Sequence, residues 1–120
     1  MLYCELLHAQ TPNCSTAKIG RYELDSPKSS KTIIIRTKLT QTEINDALNY
    51  EATYQVIWLD SCKYQLKNKR LIKGDPILAG QPSDIYIVEI LKIEGSKIQI
   101  KTSSNFSNKT IERTLTKIVQ

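Results

Sequence analysis

Hydrophobic and polar residues alternate along most of this chain, and the alternation predicts strands rather than helices. Residues two positions apart share one side of a strand, so this period is typical of a sheet with one buried face. It predicts strands over residues 18–24, 31–37, 39–45, 84–93, 97–103 and 109–119. Helical spacing is found only over residues 42–49 and 107–118, where threonines and β-branched residues argue against a helix.

The stretch YQVIWLDSCKYQL, residues 54–66, holds the only tryptophan and is interpreted as a hairpin. A single strand would be unusually long and would place Asp60 in an apolar row. A two-residue turn at Asp60 and Ser61 removes both difficulties, because these side chains bond to nearby backbone amides. We therefore predict two strands, the first beginning at Tyr50, with facing pairs Leu59–Cys62, Ile57–Tyr64 and Trp58–Lys63, of which the first two form the apolar face.

Residues 68–83 are rich in Gly, Pro and Asp, and they predict a long loop that acts as a lid or contact surface. Splitting the hairpin in two gives eight consecutive strands joined mostly by short turns. This order predicts an all-β protein: an eight-stranded antiparallel up-and-down barrel, lipocalin- or calycin-like. A β-sandwich is the alternative.

Composition allows a single domain. The chain has 120 residues, and its 17 Lys and Arg against 12 Asp and Glu give a net charge of +5. We interpret this charge as a solubility feature of strand edges, with attraction to an anionic partner as the alternative. No apolar run approaches the roughly 20 residues that a transmembrane helix needs.

Residues 1–10, MLYCELLHAQ, look like the end of an export signal whose beginning is missing; the alternative is a short disordered tail. The predicted domain is then residues 11–120. Export predicts a periplasmic, secreted or cell-surface protein, whereas a genuine start at Met1 predicts a cytoplasmic one. Cys14 and Cys62 form an even pair within the domain, which predicts a disulfide after export, or two buried thiols in a reducing compartment.

Recognised catalytic motifs are missing from the domain, so we predict no enzyme and no catalytic residues. The only histidine, His8, lies within residues 1–10, which leaves no Ser-His-Asp arrangement and no histidine ligand for a metal. The glycines of GDPILAG lack the Gly-Lys-Ser/Thr that binds phosphate. The sequence predicts no cofactor and no metal site.

Arg36, Gln41 and Glu43 form the most informative polar group, because two adjacent strands bring them together. A buried arginine must be paired, and Glu43 is the expected partner. Beside Trp58 or Tyr64 such a group would form the floor of a small polar-ligand pocket. The alternative is an exposed cross-strand ion pair worth about 0.2–1 kcal/mol.

A basic run near Tyr64 offers a nucleic-acid alternative: Lys63, Lys67, Lys69, Arg70 and Lys73. The chain has one Phe and no recognisable RNA-binding aromatic motif, so we interpret the run as a solvated strand end.

A cysteine before GRY, followed by IIIRT, QTE and YQVIWLDSCKYQL, resembles a family of small exported bacterial proteins with a lipocalin-like barrel. The resemblance covers most of residues 14–66 and implies fold and export, but no activity. Some members carry topoisomerase names, although 120 residues leave no room for the domains of a topoisomerase. We predict a non-enzymatic binding module for a small ligand or a protein partner. The alternatives are a nucleic-acid-binding barrel and a structural surface protein with a filled core.

Overall fold

Eight antiparallel strands form a closed barrel in the computed structural model, which describes residues 13–25 and 30–118. Each strand pairs with the next one along the chain, and the last pairs with the first. The predicted up-and-down barrel is confirmed, and the sandwich alternative is wrong. The strands are β1 Gly20–Leu24, β2 Thr32–Arg36, β3 Thr40–Asn45, β4 Tyr50–Asp60, β5 Lys63–Lys73, β6 Tyr86–Glu94, β7 Lys97–Ser104 and β8 Ile111–Lys117.

The helices of the described residues are three short 3₁₀ turns at Cys14–Ala17, Asp46–Leu48 and Pro76–Ala79. In the two windows with helical spacing, residues 42–45 belong to β3 and residues 111–117 to β8, in agreement with the preference of β-branched residues for strands, whereas Asp46–Leu48 forms one of the 3₁₀ turns. The predicted signal remnant at residues 1–10 lies outside the described residues.

The barrel interior is built from alternate residues of each strand, as the period of two requires. Buried apolar side chains come from β1, β2 and β4 to β8, and each contributes about 1.5–3 kcal/mol to the free energy of folding. They include Tyr22, Ile34, Val56, Tyr64, Leu66, Val88, Ile90, Ile98, Ile100 and Leu115.

The hairpin of β4 and β5 is confirmed, but its turn lies at Ser61 and Cys62 and its register differs from the prediction. Trp58 pairs with Tyr64, so the predicted facing pairs are wrong. The reason is local: the Asp60 carboxylate accepts a hydrogen bond from the Cys62 amide at 2.8 Å, which puts Asp60 before the turn. A register irregularity at Leu59 then accommodates one extra residue.

Strand β5 continues through residues that were predicted to begin the long loop. Asn68 adopts a positive φ of 53°, a conformation that asparagine tolerates better than most residues, and its side chain donates to Gln55 at 2.6 Å. This bulge lets the strand pass through a polar segment and reach Lys73. The connection to β6 is therefore residues 74–85, shorter than the predicted loop of residues 68–83.

One end of the barrel is closed by the Cys14–Ala17 turn, which we call the plug. Cys14 and Ala17 are buried in the core cluster, and Lys117 donates to the Thr16 carbonyl at 2.7 Å. The sulfur atoms of Cys14 and Cys62 lie 2.08 Å apart, at bonding distance, which confirms the predicted pairing. The disulfide fixes the plug to the β4–β5 turn at this end of the barrel.

Candidate ligand-binding cavity

A cavity of about 310 Å³ opens at the end of the barrel opposite the plug. Its lining includes the last residue of β1, Leu24, and the first residues of β4, β6 and β8, which are Tyr50, Tyr86 and Ile111. All four of these strand ends lie at the same end of an up-and-down barrel, so they surround the mouth. The volume falls at the lower end of the roughly 300–1,000 Å³ range of small-molecule sites.

The cavity has one apolar and one polar side, because inward positions differ in character between strands. Most of the apolar lining comes from β1, β2, β6, β7 and β8, with Leu24, Ile34, Val88, Ile100 and Leu115, and the same strands also contribute the polar residues Thr102 and Arg113. The polar side comes from β3, β4 and β5, with Gln41, Glu43, Tyr50, Tyr54, Tyr64 and Lys69. A molecule that fills the cavity therefore meets mainly hydrocarbon on one side and mainly hydrogen-bonding groups on the other.

A buried arginine lies beneath the cavity, next to the plug. Arg36 is only 2% exposed and donates three hydrogen bonds, to Gln41 Oε1 at 2.9 Å, Ala17 O at 2.8 Å and Tyr64 Oη at 2.6 Å. Its guanidinium also lies 5.0 and 4.5 Å from the ring centroids of Tyr22 and Tyr64. These contacts replace the hydrogen bonds with water that the guanidinium loses on burial.

Gln41 connects Arg36 to Glu43. Because arginine has donors only, Gln41 turns its carbonyl oxygen to Arg36, and its amide nitrogen donates to Glu43 Oε2 at 3.1 Å. The predicted approach of Arg36 to Gln41 is confirmed. The predicted direct pairing with Glu43 is wrong, since Gln41 lies between the two charges, and burial of Arg36 rules out the exposed ion pair.

The Glu43 carboxylate lines the polar side of the cavity, where the Gln41 amide and the Tyr54 hydroxyl donate hydrogen bonds to it. Its strand neighbours across the sheet are Ile34 on β2 and Ala52 on β4, which offer it no hydrogen-bonding side chain. Burial raises the pKa of the Glu43 carboxyl, while the Gln41 hydrogen bond, the Lys69 charge, the Tyr54 hydrogen bond and the Arg36 charge, in that order, oppose the rise. Among the described residues, no ion pair within 4 Å includes this carboxylate.

Lys69 and three tyrosines surround the mouth. The Lys69 ammonium lies 5.4 and 5.7 Å from the ring centroids of Tyr50 and Tyr54, and it donates to the Leu78 carbonyl at 2.8 Å. Tyr54 packs edge to face on Tyr86, with centroids 6.2 Å apart. Burial raises the pKa of the Tyr54 and Tyr86 hydroxyls, so both remain neutral donors near pH 7.

The five residues predicted for the site divide into three groups. Gln41, Glu43 and Tyr64 line the cavity, and Arg36 lies behind them. Trp58 is not part of the lining. Its ring packs on Tyr64 with the two ring centroids 4.7 Å apart, and the Lys18 ammonium lies 4.8 Å from the Trp58 ring centroid.

Sequence reasoning missed Tyr50, Tyr54, Lys69 and Tyr86 as cavity residues. Tyr54 and Tyr86 each precede a buried valine by two positions, at Val56 and Val88, so the period of two marks the same inward face. That signal was available from the sequence. Lys69 had no such signal, because the bulge at Asn68 changes which residues of β5 face inward.

Comparisons with models of protein families, with curated proteins and with solved structures return no significant match. Within residues 13–25 and 30–118, no group of three or more His, Cys, Asp and Glu residues is placed to hold a metal ion. No helix in that part of the chain is long and apolar enough to cross a membrane.

Proposed function

We propose that this protein is a non-enzymatic binding module that holds a small ligand in the barrel cavity. The observation that carries the proposal is a cavity of about 310 Å³ with an apolar side and a few fixed polar groups. This combination is typical of small-molecule sites, where apolar burial supplies affinity and polar groups supply orientation. The cavity favours this function over that of a structural protein with a filled core.

The connection between β5 and β6 acts as a contact surface beside the mouth in this proposal. Lys69 anchors it through the Leu78 carbonyl, and the Asp75 carboxylate accepts from the Ile77 amide at 3.0 Å. Ile77 is 82% exposed, and Phe106 on the β7–β8 connection packs against Tyr86. These apolar side chains extend the surface that a ligand or a protein partner would meet.

Export to the periplasm or cell surface, and membership of the lipocalin-like exported family, belong to the same proposal. The Cys14–Cys62 pair supports export, because structural disulfides persist in oxidising compartments. Nucleic-acid binding is less favoured, because Lys69 lines the cavity and is not available to an outer basic stripe with Arg70 and Lys73.

The proposal is tested with N-phenylnaphthylamine, an uncharged probe whose fluorescence rises in apolar surroundings. The native protein should bind it saturably at one site. Thr102→Trp places an indole in the cavity lining and should weaken binding at least about tenfold, since that corresponds to only 1.4 kcal/mol of lost interaction. Thermal unfolding of the variant shows whether the barrel is retained.

Ser103→Trp is the matched control, because Ser103 is half-buried like Thr102 but faces the opposite side of β7. It should bind the probe as the native protein does. Absence of saturable binding, or equal weakening by both substitutions, would contradict a ligand site inside the barrel.

A further inference from the structure

We propose that the ligand of this cavity is a cationic amphiphile, a molecule that joins an amine to an apolar body. Its ammonium group would lie against Glu43 and the tyrosine rings, with its apolar body along the opposite wall. The inference rests on the proposed function and names the chemical class of the ligand.

The charged residues that line the cavity differ in the partners that they already have. Lys69 already donates to a carbonyl and contacts two tyrosine rings, and Arg113 pairs with Asp25 through Nε and Oδ1 at 3.1 Å. Glu43 accepts hydrogen bonds from the neutral Gln41 amide and the Tyr54 hydroxyl and interacts with the charges of Lys69 and Arg36, but among the described residues no ion pair within 4 Å includes it. A ligand cation placed against Glu43 therefore gains an ion pair there, whereas a ligand anion would approach a carboxylate.

Glu43 is held in place as a hydrogen-bond acceptor. Arg36 fixes the orientation of the Gln41 amide, and Gln41 in turn donates to Oε2 of Glu43. An ammonium placed against Glu43 favours the ionised form of this carboxyl, although burial raises its pKa. An ionised carboxylate has about four lone-pair sites, so the bonds from Gln41 and Tyr54 leave capacity for a further donor. Because Glu43 lines the cavity, an ammonium group inside it is a donor that also brings an opposite charge into contact.

Aromatic residues of the cavity lining also favour a cation. Tyr50, Tyr54, Tyr64 and Tyr86 all contribute to its lining, and tyrosine faces attract cations. The Lys69 ammonium near Tyr50 and Tyr54 shows that this wall already accommodates such a group. The face of an aromatic ring is the negative end of its quadrupole, so a ring that turns its face to the ligand disfavours an anion.

The apolar residues of the cavity indicate that the rest of the ligand is apolar. A bound molecule meets only hydrocarbon at four of the lining residues, which are Ile34, Val88, Ile100 and Leu115. A small polar amine would therefore leave these side chains without an apolar contact. An amine on a short alkyl or aryl body uses both sides at once.

The test compares n-octylamine, n-octanol and octanoate, which share a similar alkyl chain and differ in charge at pH 7. Affinities are measured by displacement of N-phenylnaphthylamine and by calorimetry. The native protein should bind the amine about tenfold or more tighter than the alcohol, and octanoate most weakly. Glu43→Gln should abolish the preference for the amine while leaving octanol affinity within about threefold.

Two further variants test whether the preference for the amine depends on charges in the cavity or on the net charge of the protein. Glu112→Gln removes an exposed carboxylate from the outer face of β8 and should leave the order of affinities unchanged. Lys69→Met removes the cation at the mouth and should strengthen amine binding, because like charges repel.

Tightest binding of octanoate, lost in Lys69→Met, would overturn the inference and assign an anion site. Equal binding of amine and alcohol, or an amine preference that survives Glu43→Gln, would overturn it as well. In all these cases the cavity still binds ligands and the proposed function stands. Failure of N-phenylnaphthylamine and all three octyl compounds to bind would reject both proposals together.

Discussion

Removal of the Cys14–Cys62 disulfide is expected to lower the free energy of unfolding by about 4 kcal/mol and the melting temperature by roughly 15 °C. The bond closes a loop across a sequence separation of 48 residues, so its loss restores chain entropy to the unfolded state. It also frees the plug, whose Ala17 carbonyl accepts from Arg36. The measurement is urea unfolding of the C14A/C62A double variant against the native protein.

Thr16→Ala is the control for this experiment, because it alters an exposed side chain of the plug and leaves the disulfide in place. Its free energy of unfolding should stay within about 0.5 kcal/mol of the native value. Reduction of the native protein should also expose two additional thiols to labelling. A double variant as stable as the native protein would show that the plug does not depend on the bond.

Arg36→Met is expected to lower the free energy of unfolding by about 3 kcal/mol. Methionine occupies a similar volume but donates no hydrogen bond, so Gln41 Oε1, Tyr64 Oη and Ala17 O each lose a donor. Arg36→Lys keeps the charge, but one ammonium cannot reproduce the planar arrangement of guanidinium donors. It should be destabilised as well, by about 2 kcal/mol in the same urea assay.

Arg70→Met provides the comparison, because Arg70 is exposed on β5 and carries the same charge. The free energy of unfolding of this variant should stay within about 0.5 kcal/mol of the native value. If Arg36→Met and Arg70→Met change the free energy of unfolding by equally small amounts, the hydrogen bonds of Arg36 contribute no net stability. Replacement of a buried ion pair by apolar groups can have such a neutral effect.

The barrel was predictable because its strands repeat one simple pattern. Runs such as Thr32–Arg36 and Tyr86–Glu94 combine β-branched residues with a period of two, and local preference and tertiary burial agree there. The prediction was wrong where a single residue changes the register. The irregularity at Leu59 and the bulge at Asn68 depend on side-chain hydrogen bonds and pairing with β4 or β5, which alternation alone does not encode.

Part of the site was predictable from the sequence, but the connections between its residues were not. Pairing of β2 with β3 brings Arg36 opposite Gln41, as the sequence suggested. Arg36 reaches Glu43 only through Gln41, because its other guanidinium nitrogens donate to the Ala17 carbonyl of the plug and to the Tyr64 hydroxyl. Those partners are 19 and 28 residues away along the chain, so no local pattern reveals them.

Intermolecular nuclear Overhauser effects between N-phenylnaphthylamine and isoleucine or valine methyl groups test ligand binding inside the barrel most directly. At saturation we expect contacts from the aromatic protons of the probe to Ile34, Val88 and Ile100, which line the cavity. Contacts restricted to Ile33, Ile35 and Ile87, their neighbours on the opposite faces of β2 and β6, would place the probe on the outer surface and contradict the account.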